Sequence, residues 1–243
     1  SGRIMNKIHL VEINSTNTYA KENIDKFEDK TVIYTDRQTA GRGRFTRKWF
    51  DLGSRNLYMT IVLHPGEKFI ETYSNLTQYL ALKTCKVLEA YGVNSQIKWP
   101  NDNLVNGKKI AGILSEAVFK GNKLKGIALG IGVNLNAKLE EVQAIPDRIA
   151  TALNLEINQP IDRDKFLDVL IESFFEDYEE FLKKGFSSIR DEYLKHSVLI
   201  GEKITINHLN KQIQGNFKTI NQDGTIQLET SSGTINLSIG DIM

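Results

Sequence analysis

Between residues 96 and 136 the chain carries three apolar runs, QIKWP, KKIAGILSEAVF and GIALGIGVNLN, separated by turn chemistry at 100–102 and 120–122. Runs rich in Ile, Val and Ala and bounded by Pro, Asn, Asp and Gly read as strands. Strands this close in sequence require a sheet, and a sheet requires something apolar to cover it. Residues 72–91 answer that need. Leu76, Leu80, Val87, Leu88 and Tyr91 fall mainly on one helical face, and Gly92 supplies a stop. An amphipathic helix packed on a sheet is the expected centre of the fold.

The remaining segments extend this plan. KIHLVEINST ends in hydroxyl and amide residues suited to capping the helix TYAKENIDKF, with a strand-to-helix junction at residues 14–17. TVIYTD and RNLYMTIVLHP read as further strands. Residues 162–184 read as one long helix with Phe166, Leu170, Phe174, Tyr178 and Phe181 in a single stripe and Glu172, Glu176, Glu179 and Glu180 elsewhere. After about residue 197 the texture changes to short strands, KITINHL, KQIQGNFKTI, TIQLET and TINLSI, with turns at Asp223-Gly224 and Ser232-Gly233. The expected fold is α+β. A domain over residues 5–195 holds a mixed sheet flanked by helices, and residues 196–243 form a small antiparallel barrel.

Composition sets the function classes. With 31 Lys and Arg against 30 Asp and Glu, the 243-residue chain is nearly neutral, so its charge-dense stretches need local explanations. The single Cys85 cannot form an intramolecular disulfide, and no secretory leader or apolar run of membrane-spanning length is present. A cytoplasmic protein without a membrane partner is the expectation.

Five stretches can carry chemistry. In GRGRFTRKWF, residues 41–50, Arg42 and Arg44 fall on one side of an extended chain. Their guanidinium forks match carboxylate and phosphate oxygens, and the glycines let backbone N–H groups approach a ligand. A solvated basic loop or a nucleic-acid contact is the plain alternative. In IKWPNDN, Pro100 favours an extended Trp99, and Asn101 and Asp102 present polar ends at a strand exit; an ordinary turn explains as much. Lys109 stands directly before Ile110, Ala111 and Gly112 at a strand mouth, where a fixed ammonium could hold two anions together or simply mark a strand edge. Gly130 and Gly132 strip one face of a β-branched strand, as a flat ligand or a tight helix crossing would require. Ser15, Thr16 and Asn17 open a helix, where capping is the default role.

The order STN, QTAGRGRFTRKW, KWPND, KKIAGIL and GIGVN along one chain resembles the biotin protein ligase family, also called biotin–acetyl-CoA-carboxylase ligases. The resemblance runs from about Ser15 to Asn136. The tail from about Ser197 is similar to that family's small C-terminal SH3-like barrel, whereas residues 137–196 carry little family signature. It implies the mixed-sheet catalytic fold shared with class II aminoacyl-tRNA synthetases. The substrates it implies are biotin and ATP, with Mg2+ accompanying the nucleotide, and the implied product is biotinyl-5′-AMP. From that adenylate biotin passes to a lysine of a biotin carboxyl carrier protein or domain.

Carried over by position, the resemblance sets biotin's ureido ring against Ser15, Thr16 and Gln38. Gly41, Arg42 and Arg44 would cover the ligand, and Gly112, Gly130 and Gly132 would form the floor. Arg44 and Lys109, the catalytic pair, would bridge carboxylate and phosphate. Together with these two and Arg47, the residues Trp49, Asn101, Asp102 and Asn134 would make the nucleotide side, with Trp49 against adenine and Asp102 near magnesium or a loop cation. Counted from Met5, only about ten residues precede STN, so no winged helix-turn-helix, and hence no operator DNA binding, is expected. Two rivals remain: a lipoate or octanoate ligase of the same superfamily, whose arginine pair followed by serine and three glycines is missing, and a nucleic-acid-binding module, which the acidic helix and the neutral balance disfavour. The sequence leaves open whether two copies form a homodimer.

Overall fold

A computed structural model describes residues 6–41, 55–66, 75–146 and 148–243. The first unit in chain order is β1 (Lys7–Ile13), α1 (Thr16–Glu22) and β2 (Thr31–Gln38), in which β1 and β2 pair in parallel. Seven residues are too few for a helix to hold itself together in water, so α1 depends on its cap and its packing. Ser15 caps it by accepting from the Thr18 N–H, and Ala20 and Ile24 bury against Ile33, Val62 and Ala128 of the sheet. The run expected to continue as helix to Phe27 instead ends at Glu22 and passes into turns.

β3 (Leu57–Leu63), α2 (Leu76–Ala90), β4 (Gln96–Lys98), β5 (Asp102–Val105), β6 (Lys108–Lys120) and β7 (Lys123–Val133) complete a seven-stranded mixed sheet of order β1-β2-β3-β7-β6-β5-β4. β3 sits between β2 and β7 and is buried along its whole length, because both of its faces are covered. One face meets α1. The other carries Val32, Met59, Ile61, Leu129 and Ile131 into the main core with Leu76, Leu80 and Leu88 of α2. β5 is a strand where the sequence shows only turn chemistry at 100–102: its four residues, DNLV, are too few to show alternation against the turn signal of the preceding Pro-Asn.

Short helices α3 (Leu139–Gln143) and α4 (Leu153–Ile157) follow, and then α5 (Arg163–Glu176) and α6 (Tyr178–Lys184). The expected single helix over 162–184 is thus two, broken at Asp177, although the predicted stripe holds: Phe166, Leu170, Phe174, Tyr178 and Phe181 are all buried. Phe181 stacks on Tyr79 of α2 at 4.5 Å and Phe174 meets the same ring edge-on at 5.0 Å, geometries that each add about 1 kcal/mol beyond the buried area. After α7 (Arg190–His196) come β8 (Lys203–His208), β9 (Lys211–Ile220), β10 (Ile226–Thr230), β11 (Gly233–Leu237) and β12 (Asp241–Ile242), an antiparallel sheet of order β11-β10-β9-β8-β12. Among the described residues this sheet is open, not the closed barrel expected: β11 and β12 are its edges, and two residues of β12 are too few to join them. Its core residues Ile204, Ile206, Phe217 and Leu228 belong to the same apolar cluster as Trp99 and Leu88. No helix among the described residues is long and apolar enough to cross a membrane.

Candidate active site

On the face of the large sheet that meets α1, glycines of β6 and β7 come together beside that helix. Register places Thr35, Tyr58, Gly132, Gly112 and Asp102 in one row across five strands, and Ile33, Thr60, Gly130 and Leu114 in the next. Residues two apart on a strand share a face, so Gly130, Gly132 and Gly112 lie together on the α1 side. Gly112 and Gly132 are direct cross-strand partners, which leaves a patch of backbone without side chains. The three glycines named in the sequence are therefore brought together.

Lys109 reaches this face because of a β-bulge. Asn103 pairs with Ala111 but Leu104 pairs with Lys109, so Ile110 is one residue too many on β6. Ile110 and Ala111 both turn into the main core, and the extra residue rotates Lys109 onto the side of Gly112. There its Nζ stands 3.1 Å from Asp102 Oδ1, and Lys98, the cross-strand partner of Asp102, brings a second ammonium to 3.9 Å. The backbone of Lys109 is held on its other side, donating to Ile149 O and accepting from the Thr151 N–H, both at 2.9 Å. Burial pushes the Lys109 ammonium below its ordinary value of 10.5; Asp102 pulls it back up, and Arg148 and Lys98 push it further down.

At the other end of the face the ureido candidates form one hydrogen-bonded set. Gln38, the last residue of β2, accepts through Oε1 from both the Thr16 N–H at 2.9 Å and the Thr16 hydroxyl at 3.2 Å. Ser15 is the cap beside them, so capping and site geometry are the same arrangement. Gly41 is buried just beyond, where Ala40 donates to Asn14 O at 2.7 Å and keeps the chain along the end of β1. Arg42, Arg44, Arg47 and Trp49 lie outside the described residues.

The nucleotide-side candidates are pinned around the bulge. Asn134 donates its N–H to Ile110 O at 2.9 Å and its amide to Thr151 O at 3.0 Å. Asn101 donates its amide to Ile113 O, and its Oδ1 is buried without a hydrogen-bond partner among the described residues. A buried amide oxygen left open next to Asp102 is a ready acceptor for a ligand N–H. For Mg2+ the fit is limited to one carboxylate, since Asp102 already faces two ammonium groups, and among the described residues no three His, Cys, Asp or Glu side chains gather.

Sequence reasoning missed Thr60 and Asn56. Thr60 Oγ1 lies 2.8 Å from Thr16 Oγ1 and 2.6 Å from Asn17 Oδ1, tying β3 to the helix start. Its signal was a hydroxyl in the otherwise apolar run LYMTIVL, in register with Gly130. Asn56 Oδ1 accepts from the N–H groups of both Leu135 and Asn136, at 2.8 and 2.9 Å, and so holds the exit of β7 directly after Asn134. Nothing in its local sequence separates it from a turn residue.

The model of the biotin/lipoate A/B protein ligase family matches residues 11–134. The chain is 32% identical over 231 residues to a biotin–[acetyl-CoA-carboxylase] ligase of Paracoccus denitrificans, with 92% of this chain and 94% of that protein covered. It is 31% identical over 213 residues to the bifunctional ligase/repressor BirA of Bacillus subtilis, covering 87% of this chain but spanning only 65% of that relative's length. Among solved structures, the biotin protein ligase of Aquifex aeolicus in complex with biotin and ATP superposes with a TM-score of 0.84 at 27% identity, over 98% of this chain and 97% of that one.

Proposed function

The chain belongs to the biotin/lipoate A/B protein ligase family, and from that premise we propose that it is an ATP-dependent biotin protein ligase. The observation that carries this reading is the bulge at Ile110, which sets the Lys109 ammonium on the glycine-bared face that also holds Thr16 and Gln38. A fixed cation is what the first step needs. Biotin's carboxylate oxygen attacks the α-phosphorus of ATP, the bond from that phosphorus to the α,β-bridging oxygen breaks, and pyrophosphate leaves with the electron pair; both reactants are anions, and their encounter is repulsive without a positive charge between them. Lys109, partly buried and with its backbone anchored, supplies it without reorganising, and arrival of the two anions strengthens its hold on the proton. Arg44 is assigned the companion role.

In the second step a lysine amine of the acceptor attacks the acyl carbon of biotinyl-5′-AMP, the mixed anhydride breaks, and AMP departs with the electron pair. The acceptor is a biotin carboxyl carrier protein or domain. Ser15, Thr16 and Gln38 supply the mixed donors and acceptors that a cyclic urea requires, while Gly112 and Gly132 give the ring and its chain a flat floor. Asn101, Asn134, Arg47 and Trp49 are assigned to the nucleotide side. Mg2+ enters with ATP, and Asp102 is the carboxylate available to it. The C-terminal sheet is read as the family's SH3-like module beside a catalytic unit over residues 5–195.

Pyrophosphate exchange into ATP tests the reading directly. Exchange is expected with biotin and not with lipoate or without an acid. Exchange driven by lipoate would move the chain to the other branch of the family, and exchange with no acid would overturn the acyl-activating role.

A further inference from the structure

The open side of Gly130 is already filled, and the occupant is Asn17. A methyl group added at Gly130 would stand 2.3 Å from Asn17 Oδ1 and 2.8 Å from its Cγ, closer than real atoms approach. Asn17 itself is buried, with 5% of its surface exposed, and its amide is fully engaged. Nδ2 donates to Leu114 O and to Glu116 Oε1, each at 3.1 Å, and Oδ1 accepts from Thr60 at 2.6 Å. Glu116 is held in turn by Lys21 of the same helix, at 2.6 Å. An amide has two N–H donors, and both are spent inside the protein, so Asn17 has none left for a substrate.

From this geometry we infer that Asn17 is a positioning residue for the ureido pocket and that Gly130 serves Asn17 instead of touching biotin. The inference rests on the biotin-ligase reading above and changes the role given to one residue within it. The route of action is short. Thr60 has a single hydroxyl proton; by taking it, Asn17 Oδ1 leaves the Thr60 oxygen to face Thr16 as an acceptor. Thr16 Oγ1 also lies 3.2 Å from Gln38 Oε1, so the direction in which its proton points is coupled to the Thr60 hydroxyl and hence to Asn17. A cyclic urea presents one carbonyl acceptor and two N–H donors, and it binds a wall of hydroxyls only if their protons point the right way. Fixing those directions before the ligand arrives lowers the cost of binding it.

The two roles for Gly130 separate in a double-variant cycle with kinetic readouts. Gly130→Ala is expected to raise the KM for biotin by about tenfold or more, with the KM for ATP little changed. Asn17→Ala, which removes every atom the methyl would strike, is expected to raise biotin KM as well. The double variant should then show the biotin KM of Asn17→Ala alone, because the side-chain atoms that the methyl would meet are gone. If Gly130 instead contacts biotin, the two effects multiply, and that outcome overturns the inference. So does an equal rise in both KM values, which would mark a general loss of structure. Should Gly130→Ala fail to fold, Thr60→Val keeps the question open to measurement: it removes the shared hydroxyl without adding bulk, and it must raise biotin KM selectively. A wild-type protein that shows no biotin-dependent exchange would sink the functional reading instead, so the two failures are distinguishable.

Discussion

Lys109 is the residue on which burial and function pull in opposite directions. Its ammonium is disfavoured by desolvation and supported by Asp102, so its proton is lost at lower pH than from a free lysine. Between that depressed value and 10.5 the unfolded chain binds more protons than the folded one, and stability contributed by this group rises with pH while the charge needed for adenylation disappears. Asp102→Asn removes the supporting anion. The alkaline limb of biotin-dependent pyrophosphate exchange is therefore expected to move to lower pH in Asp102→Asn, and Lys109→Ala to lose about 10²–10³-fold in exchange rate with biotin binding largely kept. An alkaline limb that stays in place in Asp102→Asn would show that the titrating group is not Lys109. The lysine itself was legible from KKIAGIL. Its pairing with Asp102 and its rotation by the bulge were not, since an extra residue in a strand leaves no mark in the apolar pattern of either neighbour.

At the scale of elements, periodicity was a good guide to faces and a poor one to ends. The stripe Phe166, Leu170, Phe174, Tyr178 and Phe181 is buried as its spacing requires, yet the helix breaks at Asp177. At the break an ion pair reaches across the core to α2. Lys83 is almost wholly buried, with 4% of its side chain exposed, and its ammonium pairs with the Asp177 carboxylate. Asp177 has non-helical φ and ψ of −114° and 6°, serving at once as the end of α5 and the start of α6. A lysine at position 83 within LTQYLALKTCKVLEA gives no hint of this, because its partner is 94 residues away. Removing the partner leaves a buried charge, whereas removing the lysine does not. Asp177→Asn is accordingly expected to cost about 2 kcal/mol, discounted because the carboxylate is half exposed, and Lys83→Met to cost less. Denaturant unfolding of the two variants checks the order, and a Lys83→Met variant less stable than Asp177→Asn would refute it.

Across the whole molecule the two sheets are joined at the motif that carries Asp102. The indole of Trp99 donates to Gly224 O at 3.1 Å, Gln78 donates to the same carbonyl at 3.0 Å, and Asn75 reaches Asp223 O at 3.0 Å. The Asp223-Gly224 turn was plain in the sequence as a turn, but its role as the plug between sheets needed the third dimension. Gly224 has φ of +88°, and a methyl group there would lie 2.5 Å from Asn75 Nδ2 and 2.6 Å from Gln78 Oε1. One apolar cluster runs through the junction, from Leu80 and Trp99 to Ile206 and Phe217, so the boundary that composition places near residue 196 does not divide the core. Cores shared in this way unfold together. Gly224→Ala is therefore expected to destabilise the protein by about 2 kcal/mol through both backbone strain and displacement of the two amides. Because only Pro100 separates Trp99 from Asn101 and Asp102, the same substitution should lower the rate of pyrophosphate exchange, before any acceptor protein is involved. In a Trp49→Phe background Trp99 fluorescence reports the junction and far-ultraviolet circular dichroism reports the whole chain. Coincident transitions, shifted together by Gly224→Ala, are the expected result; a separate early transition of the Trp99 signal with exchange activity intact would show that the small sheet is an appendage with no hold on the site.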